Sequence, residues 1–330
     1  MRKIAFFNNK GGVGKTTLVY HLAWMFADLG HSVVAADLDP QSNLTSMFIE
    51  EERLEELWPA GRHPKTIQGV IDPILRGTGD IRVPHVEPIA EKIGLLPGDL
   101  ALSTFEDNLS DAWPRCHNQD ESAFLAVTAF YPALTVAAEK QTADVVLVDV
   151  GPNLGAINRS ALIACQHLII PLAADLLSLQ GLLNLGPRLI AWRHAWQALR
   201  PKSPDPNLLL PDGAMRPAGY VLMQPTKRAD RPANAFVRWM GIPGEYRRSV
   251  LMDSTEVTED VTTDPYALAS LKHYRSLMPL SMEARKPMFY LKPADGAIGA
   301  HGEAVRDCYR DFKALAQAIL TATDGDKISA

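Results

Sequence analysis

The residues best suited to chemistry stand near the start of the chain, in Lys10-Gly11-Gly12-Val13-Gly14-Lys15-Thr16-Thr17. Three glycines in four positions let the backbone fold closely around an anion with its N–H groups turned inward. A helix beginning near Lys15 adds its positive dipole end to the same spot. Lys15 can then reach β- and γ-phosphate oxygens, and the Thr16 hydroxyl can ligate Mg²⁺. A plain glycine-rich turn would share this composition but has no need of Gly-Lys-Thr at the start of a helix.

Two further groups of carboxylates follow. Ser32 to Asp39 reads as a buried strand that ends in acid, and Asp39-Pro40-Gln41-Ser42-Asn43 continues it as a turn and helix cap. Asp144-Val145-Val146-Leu147-Val148-Asp149 is a near-continuous apolar strand closed by a carboxylate, the shape of a Walker B element. Such an element would let Asp149 bind Mg²⁺ through water, with Gly151-Pro152 expected to form a switch beside the γ-phosphate.

The elements needed to position these groups are legible around them. Ile4 to Phe7 is a short apolar strand, and Leu18, Leu22, Met25, Phe26 and Leu29 repeat at helical spacing up to a Leu29-Gly30 stop. His21 and Trp24 fall in that helix and read as core or edge residues. Further strands are expected at Ile93 to Leu96, His167 to Leu172 and Ala218 to Met223, with an apolar helix from Ser122 to Lys140. Strands alternating with helices predict an α/β fold: a doubly wound, mainly parallel sheet with helices on both faces. In such sheets ligands bind at the carboxyl ends of the strands, where the loop and the acids would meet.

The phosphate loop departs from the common G-x-x-x-x-G-K-[ST] form, because Asn9 stands at its first glycine and Lys10 follows. The run K-G-G-V-G-K-T-T closely resembles the deviant Walker A loop of the ParA/MinD family of P-loop ATPases. The resemblance extends to Asp39-Pro40-Gln41-Ser42-Asn43, Ser160-Ala161-Leu162, Ser178-Leu179-Gln180-Gly181-Leu182 and Lys286-Pro287-Met288. It implies ATP and Mg²⁺ as cofactors, with catalytic roles for Lys10, Lys15 and Asp39. It also implies nucleotide contacts from Lys10 through Thr17 and from Gln224, and metal contacts from Thr16, Asp39 and Asp149. In that family the early lysine touches phosphates on the partner subunit, so Lys10 becomes the dimer-sensing candidate. The family usually shows D-x-P-P-S where this chain has Asp149-Val150-Gly151-Pro152-Asn153, a departure that bears on switching.

The same resemblance implies a homodimer with ATP, nonspecific DNA binding, a partner protein that stimulates slow hydrolysis, and a cytoplasmic, nucleoid-associated location. Between Arg216 and Arg248 seven basic residues (Arg216, Lys227, Arg228, Arg231, Arg238, Arg247 and Arg248) face two acidic ones in a chain of net charge −5. That segment is either a DNA-phosphate face or a solvated surface. A membrane-associated switch of the MinD kind is the alternative. Against it, the last helix mixes Arg306, Asp307, Arg310, Asp311 and Lys313 on its polar face, and an acidic tail follows. A metabolic or cluster-assembly ATPase on the same scaffold is a further alternative. Cys116, Cys165 and Cys308 lie too far apart in sequence to suggest a cluster site.

With 330 residues the chain is long enough for one domain, expected to span 1–330 with insertions near 50–92 and 225–265. No run of eighteen apolar residues suggests a membrane span, and no signal peptide precedes the first strand. Glu50 to Leu57 reads as a solvated helix face leading into an irregular Pro/Gly-rich stretch.

Overall fold

In the first strand, β1 (Arg2–Phe6), successive side chains point to opposite sides and none of the apolar ones meets water. Ile4 and Phe6 enter one core, while Ala5 and Phe7 enter another. A strand buried on both faces needs helices on both, and that requirement organises the computed structural model of the chain. It describes residues 1–173, 175–223, 241–253, 260–274 and 276–324.

The sheet has eight strands in the order β3-β4-β2-β5-β1-β6-β7-β8. They are β1, β2 (Val33–Asp37), β3 (Glu87–Ala90), β4 (Ile93–Leu96), β5 (Val145–Asp149), β6 (His167–Ala173), β7 (Arg216–Met223) and β8 (Ala267–Leu271). All neighbours run parallel except β3, which pairs antiparallel with β4 at the edge. The expected doubly wound, mainly parallel sheet is therefore present.

On one face lie α1 (Lys15–Asp28) and the C-terminal helix Ala300–Ala322, whose Cys308, Phe312, Leu315, Ala316 and Ile319 are buried. The apolar stripe of that last helix is used up in packing. The other face carries α5 (Phe105–Arg115), α6 (Glu121–Thr128), α7 (Phe130–Gln141), α8 (Ala156–Ile163) and α9 (Leu176–Leu199). The single helix expected over Ser122 to Lys140 is two, bent by 50° at Ala129. No single helix among the described residues is long and apolar enough to cross a membrane.

The stretch from 50 to 92 is more ordered than its composition suggests. It forms α3 (Glu51–Leu57) and α4 (Ile67–Leu75), with Ile67, Val70 and Ile71 in the core, and then β3. These follow the short α2 (Asn43–Phe48). Arg53 ties the acidic helix to the sheet edge with two hydrogen bonds to Glu87, at 3.0 and 2.9 Å. Much of the 225–265 stretch lies outside the described residues.

His21 is a core residue, as its place in α1 suggests. Its Nδ1 lies 2.8 Å from the Thr17 carbonyl, and its Nε2 accepts the Met288 N–H at 3.1 Å, so one neutral tautomer satisfies both. The ring stacks on Phe312 with centroids 5.0 Å apart. Complete burial pushes the imidazole down to about 4. The unfolded chain takes up a proton near pH 6.5, the folded one only near 4, so stability present above pH 6.5 is lost as pH falls through that window. Unfolding free energies of the wild type should therefore drop between pH 7 and 4 by about 3 kcal/mol more than those of His21→Gln. Parallel curves in chemical denaturation would contradict it.

Candidate functional site

Where β1 ends the chain turns into the phosphate-type loop and then into α1. Gly12 (φ 72°) and Gly14 (φ 83°) occupy the left-handed region, which a side chain would strain. Gly14 is also the N-cap of α1 and offers no side chain, leaving the first N–H groups of the helix open to an anion. Val13 is buried and anchors the loop. Asn8, which the sequence did not single out, braces it: its Nδ2 donates to the Pro171 carbonyl at 2.7 Å, and its Oδ1 accepts the Lys10 N–H at 3.0 Å.

Lys15 Nζ lies under the loop and donates to the carbonyls of Asn8 at 3.2 Å and Lys10 at 3.4 Å. Burial holds its ammonium below the usual lysine range, with Asp149 and Asp39 pulling the other way. Lys10 points elsewhere. Its ammonium is ion-paired within the same chain to Asp175, the N-cap residue of α9, whose carboxylate also accepts the Ser178 N–H at 2.8 Å. Burial opposes the charge on Asp175, yet these bonds outweigh it and keep the carboxyl below its usual range.

Three carboxylates gather at the carboxyl ends of β2 and β5. Asp37 and Asp149 sit opposite each other in register, and Phe6 at the end of β1 flanks Asp149. Among the described residues neither oxygen of Asp149 has a hydrogen-bond partner, although the side chain is fully buried. Burial and the charges of Asp37 and Asp39 push its carboxyl well above the usual range. The Thr16 hydroxyl and Lys15 counter this, Thr16 lying close without making an aligned hydrogen bond. Asp39 is nearly buried and accepts the Gln41 N–H at 3.0 Å.

Asp37 is a member of this group that the sequence reading passed over. Burial pushes its carboxyl up to about 7, against hydrogen bonds from the Thr45 N–H at 2.8 Å and hydroxyl at 2.7 Å. Those bonds fix the start of α2 and with it the turn that carries Asp39. Among the described residues no three His, Cys, Asp or Glu side chains are arranged to hold an ion by themselves. A partner-less buried carboxylate beside a threonine hydroxyl and a phosphate loop fits Mg²⁺, which takes one or two protein ligands and completes its shell with phosphate and water.

The segment after Asp149 is clamped from two sides. Asn158 Nδ2 reaches the carbonyls of Gly151 at 2.8 Å and Asn153 at 2.7 Å. Glu106 of α5 accepts the N–H groups of Ala156 at 2.5 Å and Ile157 at 2.9 Å, capping α8. A Cβ at Gly151 would stand 3.2 Å from Asp39 Oδ1, so glycine here lets the segment pass close to the acid. Neither Glu106 nor Asn158 carries a motif that the sequence alone would flag.

Two cavities meet at the loop. One of about 680 Å³, the more polar of the two, is lined by Gly11, Lys15, Thr16, Thr17, Asp39 and Pro152 among others. An apolar one of about 390 Å³ lies between the loop and the ends of β7 and β8, lined by Met223, Leu271, Lys272, His273, Tyr274 and Met278 among others. Gly12, Gly14, Thr17 and Met278 border both. Gln224 lies outside the described residues, as do Lys227, Arg228, Arg231 and Arg238. Arg247 ion-pairs with the buried Asp264 at 3.4 Å and lies over Tyr266, while Arg248 pairs with Glu245 at 3.5 Å. Arg216 is exposed at the start of β7, the end of the strand away from the loop. The three cysteines are buried and unbridged.

Comparison with known proteins places this geometry in context. A family model described as an AAA domain matches residues 1–194. The cell division protein PomZ of Myxococcus xanthus is 32% identical over 182 residues, covering 55% of this chain and 49% of that protein. The chromosome-partitioning ATPase Soj of Thermus thermophilus is 29% identical over 188 residues, covering 56% and 60% respectively. The matched regions thus span about half of these relatives' lengths. A crystal structure of a Corynebacterium diphtheriae protein shares the fold over 98% of both chains, with a TM-score of 0.70 at 24% identity.

Asn158→Ala should lower the unfolding free energy by about 1 to 3 kcal/mol, since it strips the buried Gly151 carbonyl of its donor. Urea denaturation checks this, and a change below about 0.5 kcal/mol would mean that the amide does not hold the segment.

Proposed function

Because the chain belongs to the ParA/MinD family of P-loop partitioning ATPases, we propose that it hydrolyses ATP slowly to drive a cycle between single chains and a DNA-bound dimer. The observation that carries the reading is the phosphate loop with two lysines, one of which, Lys15, is drawn under the loop onto its carbonyls at the strand end where Asp37 and Asp149 are buried. Lys15, the loop backbone from Gly11 to Gly14, and Thr17 bind the phosphates of ATP, with the adenine in the apolar cavity beside Met223, His273 and Met278. Gln224, proposed to contact the nucleotide as well, directly follows Met223 in the chain.

Thr16 and Asp149, with Asp39 nearby, would hold Mg²⁺, which when bound neutralises charge on the β- and γ-phosphates. Lys15 then stabilises the charge that builds on the transferred group, and Asp39 orients the attacking water. The Gly151 to Gly155 segment, held by Asn158 and Glu106, reports the presence of the γ-phosphate to α5 and α8.

Lys10 acts between subunits. It exchanges its bond to Asp175 for the nucleotide of a second copy, so that ATP joins two chains face to face. The dimer would bind DNA through phosphates without reading sequence, and a partner protein would stimulate hydrolysis and release it. Such a protein works in the cytoplasm on the nucleoid and moves DNA or another cargo. A MinD-like membrane anchor is less well supported, because the apolar stripe of the last helix is buried against α1 and the sheet.

Three measurements test this reading. Lys15→Ala should lose nucleotide binding by about a hundredfold or more in a fluorescent-nucleotide titration, and retained tight binding would remove the loop from the site. Asp39→Ala should bind ATP as the wild type does while turnover falls by about 10² or more, so normal hydrolysis would exclude Asp39 from the chemistry. Duplex DNA of arbitrary sequence should be retained with ATP but not ADP, and released as salt rises. Retention that ignores nucleotide or salt would overturn the DNA part.

A further inference from the structure

The polar cavity at the loop has a second cation on its wall. Met278–Ala284 forms a short helix that ends at Arg285, whose backbone is left-handed at φ 49° and ψ 42°. Glycine takes that conformation freely, while arginine adopts it only against a steric penalty. The turn is pinned on both sides: Arg285 N–H donates to the Met282 carbonyl at 3.3 Å, Lys286 N–H to the Ser281 carbonyl at 3.2 Å, and the Ser281 hydroxyl to the Lys286 carbonyl. A strained, over-determined residue beside a ligand cleft is where function is to be sought.

The side chain has unspent capacity. Arg285 is exposed and donates through Nη1 to the Ile49 carbonyl at the end of α2, bridging two walls of the cavity. It has no carboxylate partner among the described residues. By contrast Arg53, Arg76, Arg247, Arg248 and Arg310 each meet an acid. Its charge reaches Tyr20 on the cavity wall, whose phenol burial pushes up to about 12 while Arg285 draws it down. Among the described residues Lys15 and Arg285 are the cations that line this cavity, along with Thr16, Thr17 and Asp39. A guanidinium held by one neutral carbonyl keeps several N–H donors in a planar fork suited to phosphate oxygens.

We propose that Arg285 is a further nucleotide-binding residue, a cation that clamps the polyphosphate chain from the side opposite the loop. The inference rests on the cavity being the nucleotide site. It assigns to the Met278–Ala284 helix, far from the loop in sequence, the closing wall of that site. The strained backbone is tolerated because it aims the guanidinium into the cleft.

The test uses Arg285→Gly in the full chain. Without nucleotide, glycine relieves the left-handed residue, so the variant should unfold at the wild-type temperature or above it. Its affinity for fluorescent ATP and ADP analogues should nonetheless weaken by about tenfold or more, the loss of a charge-assisted contact. Arg285→Lys keeps the charge without the fork and should fall between the two. If Arg285→Gly proves unstable, Arg285→Lys carries the comparison at matched folded fraction. Nucleotide affinities within about twofold of wild type in both variants would overturn the proposal, as would lost DNA retention at unchanged nucleotide affinity. A wild type that binds no nucleotide would instead refute the reading of the cavity itself, with Lys15→Ala as the reference for a vacant loop.

Discussion

Asp149 is buried, central in the sheet, and without a hydrogen bond on either oxygen among the described residues. An ionised carboxylate in that setting is strongly unfavourable unless a cation meets it. The rest of the site is arranged around that problem. Two more acids, Asp37 and Asp39, are brought beside it and raise the cost of ionisation further. The positive groups in reach are Lys15, drawn under its own loop, and the open N–H groups at the start of α1. The assembly is therefore held in balance: acids that want a cation, and a loop that wants an anion. A magnesium–triphosphate complex would satisfy both demands at once.

The fold supplies the geometry for this balance through register. Parallel pairing places Phe6, Asp37 and Asp149 at one level, so the loop after β1 and the acids of β2 and β5 emerge together. Both faces of these strands are covered, by α1 and the C-terminal helix on one side and α5 to α9 on the other. Burial on both faces is what makes the acids costly to ionise. The second lysine is tied differently, by a half-buried ion pair to Asp175 within the same chain.

Much of this was legible in the sequence, and the parts that were not share a cause. The loop, Asp39 and Asp149 are announced by neighbours within a few residues, and the alternation of strands and helices gave the sheet. Asp37 was overlooked because, alone, it looks like any strand-terminal acid; its importance comes from Thr45 and Asp149, which fold onto it from elsewhere. The edge strand Ala267–Leu271 has no β-branched residue and is only half buried, so it lacks a strand's signature. The break at Ala129 hides inside a continuous apolar run. The apolar cavity joins Gly12 to Met223, His273 and Met278. Similarly, Glu106, Asn158 and Asp175 act on groups distant in the chain or carry no local motif.

The proposed reach of Lys10 to the nucleotide of a second copy would turn a nucleotide site into a device that counts subunits. Sedimentation equilibrium reads this directly. With ATP and Mg²⁺ the wild type should reach twice the single-chain mass and with ADP remain at the single-chain mass. Lys10→Ala should stay single even when saturated with ATP. A Lys10→Ala protein that doubles its mass with ATP as readily as the wild type would contradict the account.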